Sequence, residues 1–476
     1  MNFLFQIMLK YELLHQIKRF FSYKPTDEQE IVLNNLTDFF FSGDKDSIYV
    51  LKGYAGTGKT TLISAFVKAL VEMKYNCVLL APTGRAAKVL SLNAGHKAFT
   101  IHKKIYRQKA FTGDMDNFSV SDNLHKNTLF IVDEASMIAN DGLSGSAFGT
   151  GRLLDDLVQF VYNGDNCRLM LIGDTAQLPP VGEEESPALI PDMLAGYGLT
   201  VSESVLTQVV RQMEESGILY NATRLRYSIM TDDVFVPPHI ELKQFSDIVA
   251  MPGMELIEAI NDAYSQAGMD DTIIICRSNK RANMYNMGIR NTVLYREEEL
   301  ESGDVLMVAK NNYFWTEDVK EIDFIANGDI AVVRRVRRTQ ELYGFRFADV
   351  VLTFPDYDDI ELEVKIILDT LHTDTPSLSR EQNEQLFNGV MDDYADITVK
   401  RERMKALKKD AFFNALQVKY AYAVTCHKAQ GGQWKRVFID QGYVTEDNIT
   451  PDYYRWLYTA FTRATEKLYL VNWKVD

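Results

Sequence analysis

The stretch that most constrains this chain is Gly53-Tyr-Ala-Gly-Thr-Gly58-Lys59-Thr60, because of what flanks it. The apolar run SIYVL precedes it and the helical text TLISAFVKAL follows. Strand, glycine-rich loop and helix in that order are the setting a P-loop requires. Glycines let the backbone curl until several N–H groups face one phosphate chain at a helix N-terminus. Gly53, Ala55, Gly56, Thr57, Gly58, Lys59, Thr60 and Thr61 are therefore the expected nucleotide contacts. Lys59 is placed to bring charge to the β- and γ-phosphates and Thr60 to ligate Mg²⁺, so ATP and Mg²⁺ are the expected ligands.

A second apolar run ends in Val132-Asp133-Glu134-Ala135-Ser136. Asp133 fits the acid that orients Mg²⁺ in such folds. Glu134 beside it suits a general base that polarises an attacking water, which favours hydrolysis over transfer to a second substrate. The same pair would serve as a helix N-cap, and the assignment leans on the P-loop. A third run, LMLIGD, leads into Gly173-Asp174-Thr-Ala-Gln177-Leu-Pro-Pro180. The prolines stiffen a turn; Gln177 is suited to sensing a γ-phosphate and holding the water.

Short apolar runs at Ser47–Leu51, Cys77–Ala81, Leu129–Val132, Arg168–Ile172, Thr272–Cys276, Val418–Val424, Arg436–Ile439 and Lys467–Val471 read as buried parallel strands. Alternation with helical text implies crossover units and a sheet covered on both faces. The runs fall into two groups, so the expected fold is α/β with two similar P-loop-type lobes, residues 23–205 and 206–476. Two stretches interrupt them. Residues 103–127 are polar, with a Thr112-Gly113-Asp114 turn between Phe111 and Phe118, which suits a small β-hairpin. Residues 305–411 turn β-rich (DIAVVRRVRR, FADVVLTF) and then helical, which suits a small barrel inserted in the second lobe. The glycine-rich GLSGSAFGTG at 142–151 reads as a flexible surface loop.

Composition narrows the class. Of the 476 residues, 46% are hydrophobic and 25% charged, the balance of a globular protein, which excludes a disordered or collagen-like chain. The net charge of −15 gives no bulk attraction for nucleic acid, so any such partner needs a local basic strip. Cys77, Cys167, Cys276 and Cys426 have no ligand-like spacing and read as reduced thiols. No run is apolar and long enough to span a membrane. The opening MNFLFQIMLKYELLHQIKRFF has the apolar look of a signal peptide but no early basic region. Leu4, Ile7, Met8, Tyr11, Leu14 and Ile17 follow helical spacing, so residues 1–22 are expected to form an amphipathic helix on the body of a cytoplasmic protein.

The blocks GYAGTGKT, APTGRAA, VDEAS, GDTAQLPPVG, LTQVVRQ, TCHKAQGGQW and LYTAFTRA stand in the order found in superfamily 1 helicases. The chain resembles their RecD-like and Dda-like branch, which includes the Pif family, over nearly its whole length. The resemblance implies two RecA-like lobes, with an SH3-like barrel as the second insertion. It implies that Gln29 reads the adenine edge, with Tyr23 as a stacking partner. It also implies that Arg211 in LTQVVRQ and Arg463 in AFTRA come from the second lobe to stabilise the γ-phosphoryl transition state.

Pro82 and Thr83, Thr100 and His102, and Thr425, His427 and Lys428 lie in short polar loops at strand ends. Such loops suit phosphate and sugar contacts that hold a strand without reading it. As lone residues the two histidines would be structural; the motif setting favours contact with single-stranded DNA. The arginines at 334–338 and the basic run 400–409 suit either a DNA strip or a solvated face.

The expected function is an ATP-driven translocase on single-stranded DNA that unwinds duplex junctions, acting as a monomer. The branch resemblance implies 5′→3′ movement, with DNA repair and recombination as settings. Phe111 or Phe118 at the hairpin turn is the candidate for splitting the strands, or both merely anchor the hairpin. Two alternatives stand beside this reading. A nucleotide-gated interaction protein would need neither Glu134 nor the arginines. A nuclease would use Asp356, Glu363 and Lys365, whose spacing is short for that chemistry.

Overall fold

The computed structural model describes residues 3–21, 23–108, 118–142, 148–210, 215–317, 319, 322 and 324–473. The chain divides into two compact units, Met1–Phe245 with Thr445–Thr462, and Ser246–Val444 with Arg463–Asp476. The first unit thus extends past the boundary drawn at 205. Its extra helix Gly217–Met230 buries Ile218, Ala222 and Leu225, and packs on the helix Pro451–Phe461. Tyr454 of that second helix donates its hydroxyl to the Val236 carbonyl at 2.8 Å.

Strands β1 (Ser47–Gly53), β2 (Asn76–Ala81), β3 (Ala98–Thr100), β6 (Thr128–Val132), β7 (Arg168–Gly173) and β8 (Thr200–Leu206) form one parallel sheet, ordered β3-β2-β6-β7-β1-β8. Strands β4 (Tyr106–Gln108) and β5 (Phe118–Val120) make a separate antiparallel hairpin. The four central strands fall on the apolar runs. The two edges do not: β8 alternates apolar and polar residues and β3 is three residues long. Edge strands need less burial, so they carry a weaker apolar signature.

Helix Lys59–Glu72 covers one face of this sheet and buries Leu62, Phe66, Val67 and Leu70. Leu33, Leu36 and Phe39 of helix Asp27–Phe41 join the same core, as do Leu13 and Ile17 of helix Phe3–Phe20. The N-terminal helix therefore exists, and Leu14 and Ile17 of the expected stripe meet the core, but Leu13 is buried in place of Met8 and Tyr11. Leu13 and Ile17 are fully buried while Met8 and Tyr11 are 59% and 69% exposed. Ion pairs from Lys18 to Glu30 (2.6 Å) and from Arg19 to Glu72 (2.5 Å) fix the rotation.

The hairpin tip, with Phe111 and the Thr112-Gly113-Asp114 turn, lies outside the described residues. Phe118 opens β5 instead of sitting at the turn, and its ring centroid lies 5.1 Å from that of Phe148. Phe148 belongs to the glycine-rich stretch, so the end of that stretch is not a free surface loop. Phe148 is buried, and Thr150 donates its N–H and hydroxyl to Asp156 at 3.0 Å. A Cβ on Gly149 would stand 2.1 Å from Asp156 Oδ2, so glycine is required there.

In the second unit, β9 (Ile248–Met251), β10 (Thr272–Cys276), β16 (Ala423–Thr425), β17 (Trp434–Asp440) and β18 (Ala464–Val471) form a parallel sheet ordered β16-β10-β17-β18-β9. A closed barrel of β11 (Val305–Val308), β12 (Ile330–Leu342), β13 (Phe345–Phe354), β14 (Ile360–Ile367) and β15 (Leu416–Tyr420) is inserted into it. The apolar run Val418–Val424 is therefore not one strand. Its first half pairs antiparallel with β11 in the barrel, and its second half pairs parallel with β10. Helices Arg380–Asp393 and Lys400–Lys408 lie between β14 and β15, where Leu386, Val390 and Leu407 pack with Phe345 and Phe347. Among the described residues no helix is long and apolar enough to cross a membrane.

Two β-bulges interrupt β12, one between Val333 and Arg335 and one between Val336 and Arg338. Each adds a residue that leaves strict alternation, so Arg334, Arg335, Arg337 and Arg338 are all exposed while Val336 is half-buried. Arg337 pairs with Glu363 at 2.5 Å, and Lys365 pairs with Asp349 beneath the Phe412 ring. Two of the three residues that a nuclease would use, Glu363 and Lys365, are thus engaged in ion pairs. Among the described residues no three acids, histidines or cysteines cluster to hold a metal.

A buried ion pair braces the barrel to its sheet. Arg290 (1% exposed) donates from Nε and Nη2 to the two oxygens of Asp304 (0%), each at 2.9 Å. The Tyr422 hydroxyl, between β15 and β16, donates to the same carboxylate at 2.8 Å. Removing Arg290 would leave the buried Asp304 with the longer ion pair to Arg296, at 3.5 Å. Arg290→Ala is expected to destabilise the protein by about 3–5 kcal/mol in urea unfolding. A loss below about 1 kcal/mol would show that the brace is dispensable.

Candidate nucleotide and nucleic-acid site

In a parallel sheet, all carboxyl ends share one edge, and the motif loops of the first unit leave from it. The P-loop follows β1, Pro82 and Thr83 follow β2, Thr100 ends β3, Asp133 and Glu134 follow β6, and Asp174 follows β7.

The P-loop turns on Gly56 and Gly58, at φ +77° and +83°, a region that side chains rarely adopt. Gly58 caps the helix that starts at Lys59. Thr57 is fully buried and its hydroxyl donates to the Tyr54 carbonyl at 2.8 Å. Lys59 Nζ donates to the carbonyls of Gly53 and Tyr54 and stands 3.9 Å from Asp174 Oδ2. Thr60 and Thr61 are exposed in the first turn of that helix. Gln29 is buried beside them. Its Nε2 donates to the Thr57 carbonyl at 3.0 Å and its Oε1 accepts from Thr26 N–H at 3.1 Å. Its amide thus ties a capping box to the P-loop, while Tyr23 is 79% exposed.

Asp133 accepts from Glu134 N–H at 2.9 Å. Burial, and then the charge of Glu134, push its carboxyl up to about 6, against a counter-pull from Lys59. Glu134 itself holds a left-handed backbone at φ +54°. For a non-glycine residue this conformation is uncommon and costs about 1 kcal/mol or more. Gln177 is 7% exposed and its Oε1 is buried without a hydrogen-bond partner among the described residues, as is Ser136 Oγ. Buried acceptors of this kind are exceptions that call for a ligand or water.

The segment before Arg211 belongs to the first unit, not the second as expected. Glu28 accepts from the N–H groups of Thr207 (2.7 Å) and Gln208 (2.8 Å), and Val210 N–H donates to the Gly56 carbonyl at 2.9 Å. Burial opposes ionisation of Glu28, yet the bonds from Thr207 and Gln208 and the charge of Arg226 hold it below the usual carboxylate value. Arg211 lies outside the described residues. Arg463 is in the second unit, buried, donating to the Gly432 carbonyl at 3.1 Å.

Four contributors escaped the motif reading: Asp174, Tyr458, Arg226 and Glu28. Asp174 is 1% exposed and accepts from Ala176 N–H (3.0 Å) and the Tyr458 hydroxyl (2.7 Å). Arg226 lies 4.6 Å above the Tyr54 ring and donates to the Thr207 carbonyl. Asp174 and Tyr458 sit inside recognised blocks, and Glu28 adjoins Gln29; Arg226 had no sequence signal.

In the loops after β2 and β3, Thr83 and Thr100 cap the helices that follow, accepting from Ala86 and Lys103 N–H at 3.2 Å. His102 packs edge-on to Phe148, with centroids 4.7 Å apart. In the second unit, Thr425 precedes the short helix Cys426–Ala429, and His427 is exposed. Lys428 reaches Asn327 of the barrel, and burial pushes its ammonium down to about 8.

The AAA domain family matches residues 27–227, and the UvrD-like helicase C-terminal domain matches residues 420–471. The ATP-dependent DNA helicase Dda of Enterobacteria phage T4 is 25% identical, over 83% of this chain and 88% of that one. The RecBCD enzyme subunit RecD of Buchnera aphidicola is 24% identical, over 97% of this chain and 75% of its own. The chain thus carries an AAA domain and a UvrD-like helicase C-terminal domain, and over most of its length it is similar to helicases of the Dda, RecD and Pif1 type. A solved Pif1 helicase structure from Bacteroides is 16% identical, covering 96% of this chain and 94% of that one at a TM-score of 0.49.

His102 offers a test by pH. Burial pushes its imidazole down to about 4, so the folded protein carries it neutral at pH 7. A lowered histidine means that the unfolded chain binds the proton more readily. Stability from this residue is therefore full above pH 6.5 and falls as pH drops from 6.5 towards 4. His102→Gln should lose about 1–2 kcal/mol less than wild type between pH 7 and 4.5 in urea unfolding, the low end because the ring keeps some exposure. Equal losses would mean that the imidazole titrates freely.

Proposed function

We propose that this chain is an ATP-driven DNA helicase that moves 5′→3′ along single-stranded DNA and opens duplex junctions. The reading is supported above all by one sheet edge in the first unit. There Lys59 follows the glycine turns, Asp133 and Glu134 follow the strand two places away, and Gln177 carries a buried acceptor without a partner among the described residues. The residues fit a nucleoside triphosphate with its metal. Lys59, at a helix N-terminus, supplies positive charge towards β- and γ-phosphates. Mg²⁺ held by Thr60 and Asp133 would offset phosphate charge. Glu134 takes the proton of the attacking water, while Gln177 Oε1 accepts from that water and orients it. Gln29 is assigned to the adenine, and Arg211 and Arg463 to the transition-state charge.

Pro82, Thr83, Thr100 and His102 in the first unit, with Thr425, His427 and Lys428 in the second, are assigned to the DNA backbone. His102 contributes hydrogen bonding and shape, since it is uncharged at working pH. Strand separation is assigned to the hairpin insertion, with Phe118 as the anchor that its packing on Phe148 suggests.

Single-stranded DNA should stimulate ATP hydrolysis. Lys59→Ala should abolish turnover, and Glu134→Gln should bind ATP but hydrolyse it about 10²-fold or more slowly. A duplex with a 5′ tail should be unwound and one with a 3′ tail left intact. A basal ATPase indifferent to DNA would favour the nucleotide-gated interaction protein, and preference for the 3′ tail would overturn the direction.

A further inference from the structure

Helix Pro451–Phe461 grips the loop that follows β7 at three points. Arg455 donates to the Thr175 carbonyl, the Tyr458 hydroxyl to Asp174 Oδ2 at 2.7 Å, and Leu178 N–H to the Thr459 hydroxyl at 2.8 Å. Tyr458 is the central one and is 1% exposed. Its oxygen also accepts the Ala55 N–H of the P-loop at 2.8 Å. A phenol has one proton, and with Ala55 on the oxygen that proton must point to Asp174. Burial and the Asp174 charge hold the phenol well above its ordinary value, so the proton stays in place.

Asp174 is the carboxylate nearest to the ammonium that the P-loop chemistry needs. Lys59 Nζ lies 3.9 Å from Asp174 Oδ2, within ion-pair range, yet its hydrogen bonds go to Gly53 and Tyr54. With the carboxylate buried, an ammonium at this range is attracted to it. Asp174 Oδ1 is satisfied by Ala176, and Oδ2 is satisfied by Tyr458. The hydroxyl therefore competes with the lysine for Oδ2.

We infer that Tyr458 is a positioning residue for Lys59: by donating to the Asp174 oxygen that faces the lysine, it weakens the pull of the carboxylate and leaves the lysine available to phosphate. This rests on the ATPase reading above and adds a residue to it. Without the hydroxyl, Lys59 closes on Asp174 and must leave it before each ATP is bound. The effect falls on ATP affinity, because the lysine is restored to the phosphates once ATP is seated.

Tyr458→Phe keeps the ring and removes only the hydroxyl. It should raise KM for ATP about tenfold in the DNA-stimulated reaction, with kcat within about twofold of wild type. Adding Asp174→Asn removes the competing charge and should bring KM back to within about threefold of wild type. An unmoved KM in Tyr458→Phe overturns the inference, as does a double variant no better than the single one, which is what a purely structural hydroxyl would give. If Tyr458→Phe does not fold, Asp174→Asn alone decides: KM at or below the wild-type value supports the inference, and a raised KM overturns it. Wild-type protein inert towards ATP would overturn the helicase reading instead. Fluorescent ATP binding would then still test Tyr458, with about tenfold weaker binding by the phenylalanine variant expected and equal binding overturning its role.

Discussion

Everything at the candidate site depends on parallel pairing of β6, β7 and β1. Parallel strands point their carboxyl ends to the same edge, and neighbours lie about 4.8 Å apart. Three loops remote in sequence are thereby held side by side without any contact having to attract them. The order β6-β7-β1 puts the Asp174 loop between the P-loop and the Asp133 pair. The 3.9 Å approach of Lys59 to Asp174 is a consequence of that adjacency. Full burial of the β6 strand and near-complete burial of β7 and β1 keep the register from slipping, since a one-residue shift would reverse every side chain.

The same edge gives two acids, the buried Asp174 and the half-buried Asp133, opposite surroundings. Asp174 is given two donors, one from the backbone and one from a phenol, so its charge is matched inside the protein. Asp133 has one backbone donor and a like charge next door, and its carboxyl is pushed upward. An acid left under-compensated in this way gains most from a cation, which is the property expected of a metal ligand. The difference lies in the partners that the fold supplies, because both acids end buried strands.

Legibility in the sequence followed how local each signal was. The P-loop, the central strands and the two insertions are written in contiguous residues, so glycine spacing and apolar runs revealed them. The split of Val418–Val424 was invisible because both halves are apolar; which strand each half meets is decided by the barrel between β10 and β16. The buried face of the first helix was misread because Met8, Tyr11 and Leu13 are all apolar, and only contact with the helix Lys59–Glu72 selects among them. Tyr458 reads as an ordinary core tyrosine on a helix. Its partner lies 284 residues away in sequence, a distance over which spacing carries no information.

Charge shows the same division between what the chain states and what the fold makes of it. A net charge of −15 argues against any attraction for a polyanion, and yet the sign of a whole chain does not fix the sign of a face. Strict alternation along Arg334-Arg335-Val336-Arg337-Arg338 would bury about half of these positions, which an uncompensated guanidinium does not tolerate. The two bulges of β12 resolve the conflict by sending all four arginines outward and Val336 towards the barrel. Glu361 and Glu363 on β14 then face Arg334 and Arg337, at 3.9 and 2.5 Å. Arg335 and Arg338 have no ion-pair partner among the described residues. The outer wall of the barrel is thus a place where an acidic chain presents unmatched positive charge, and it exists because the strand is irregular.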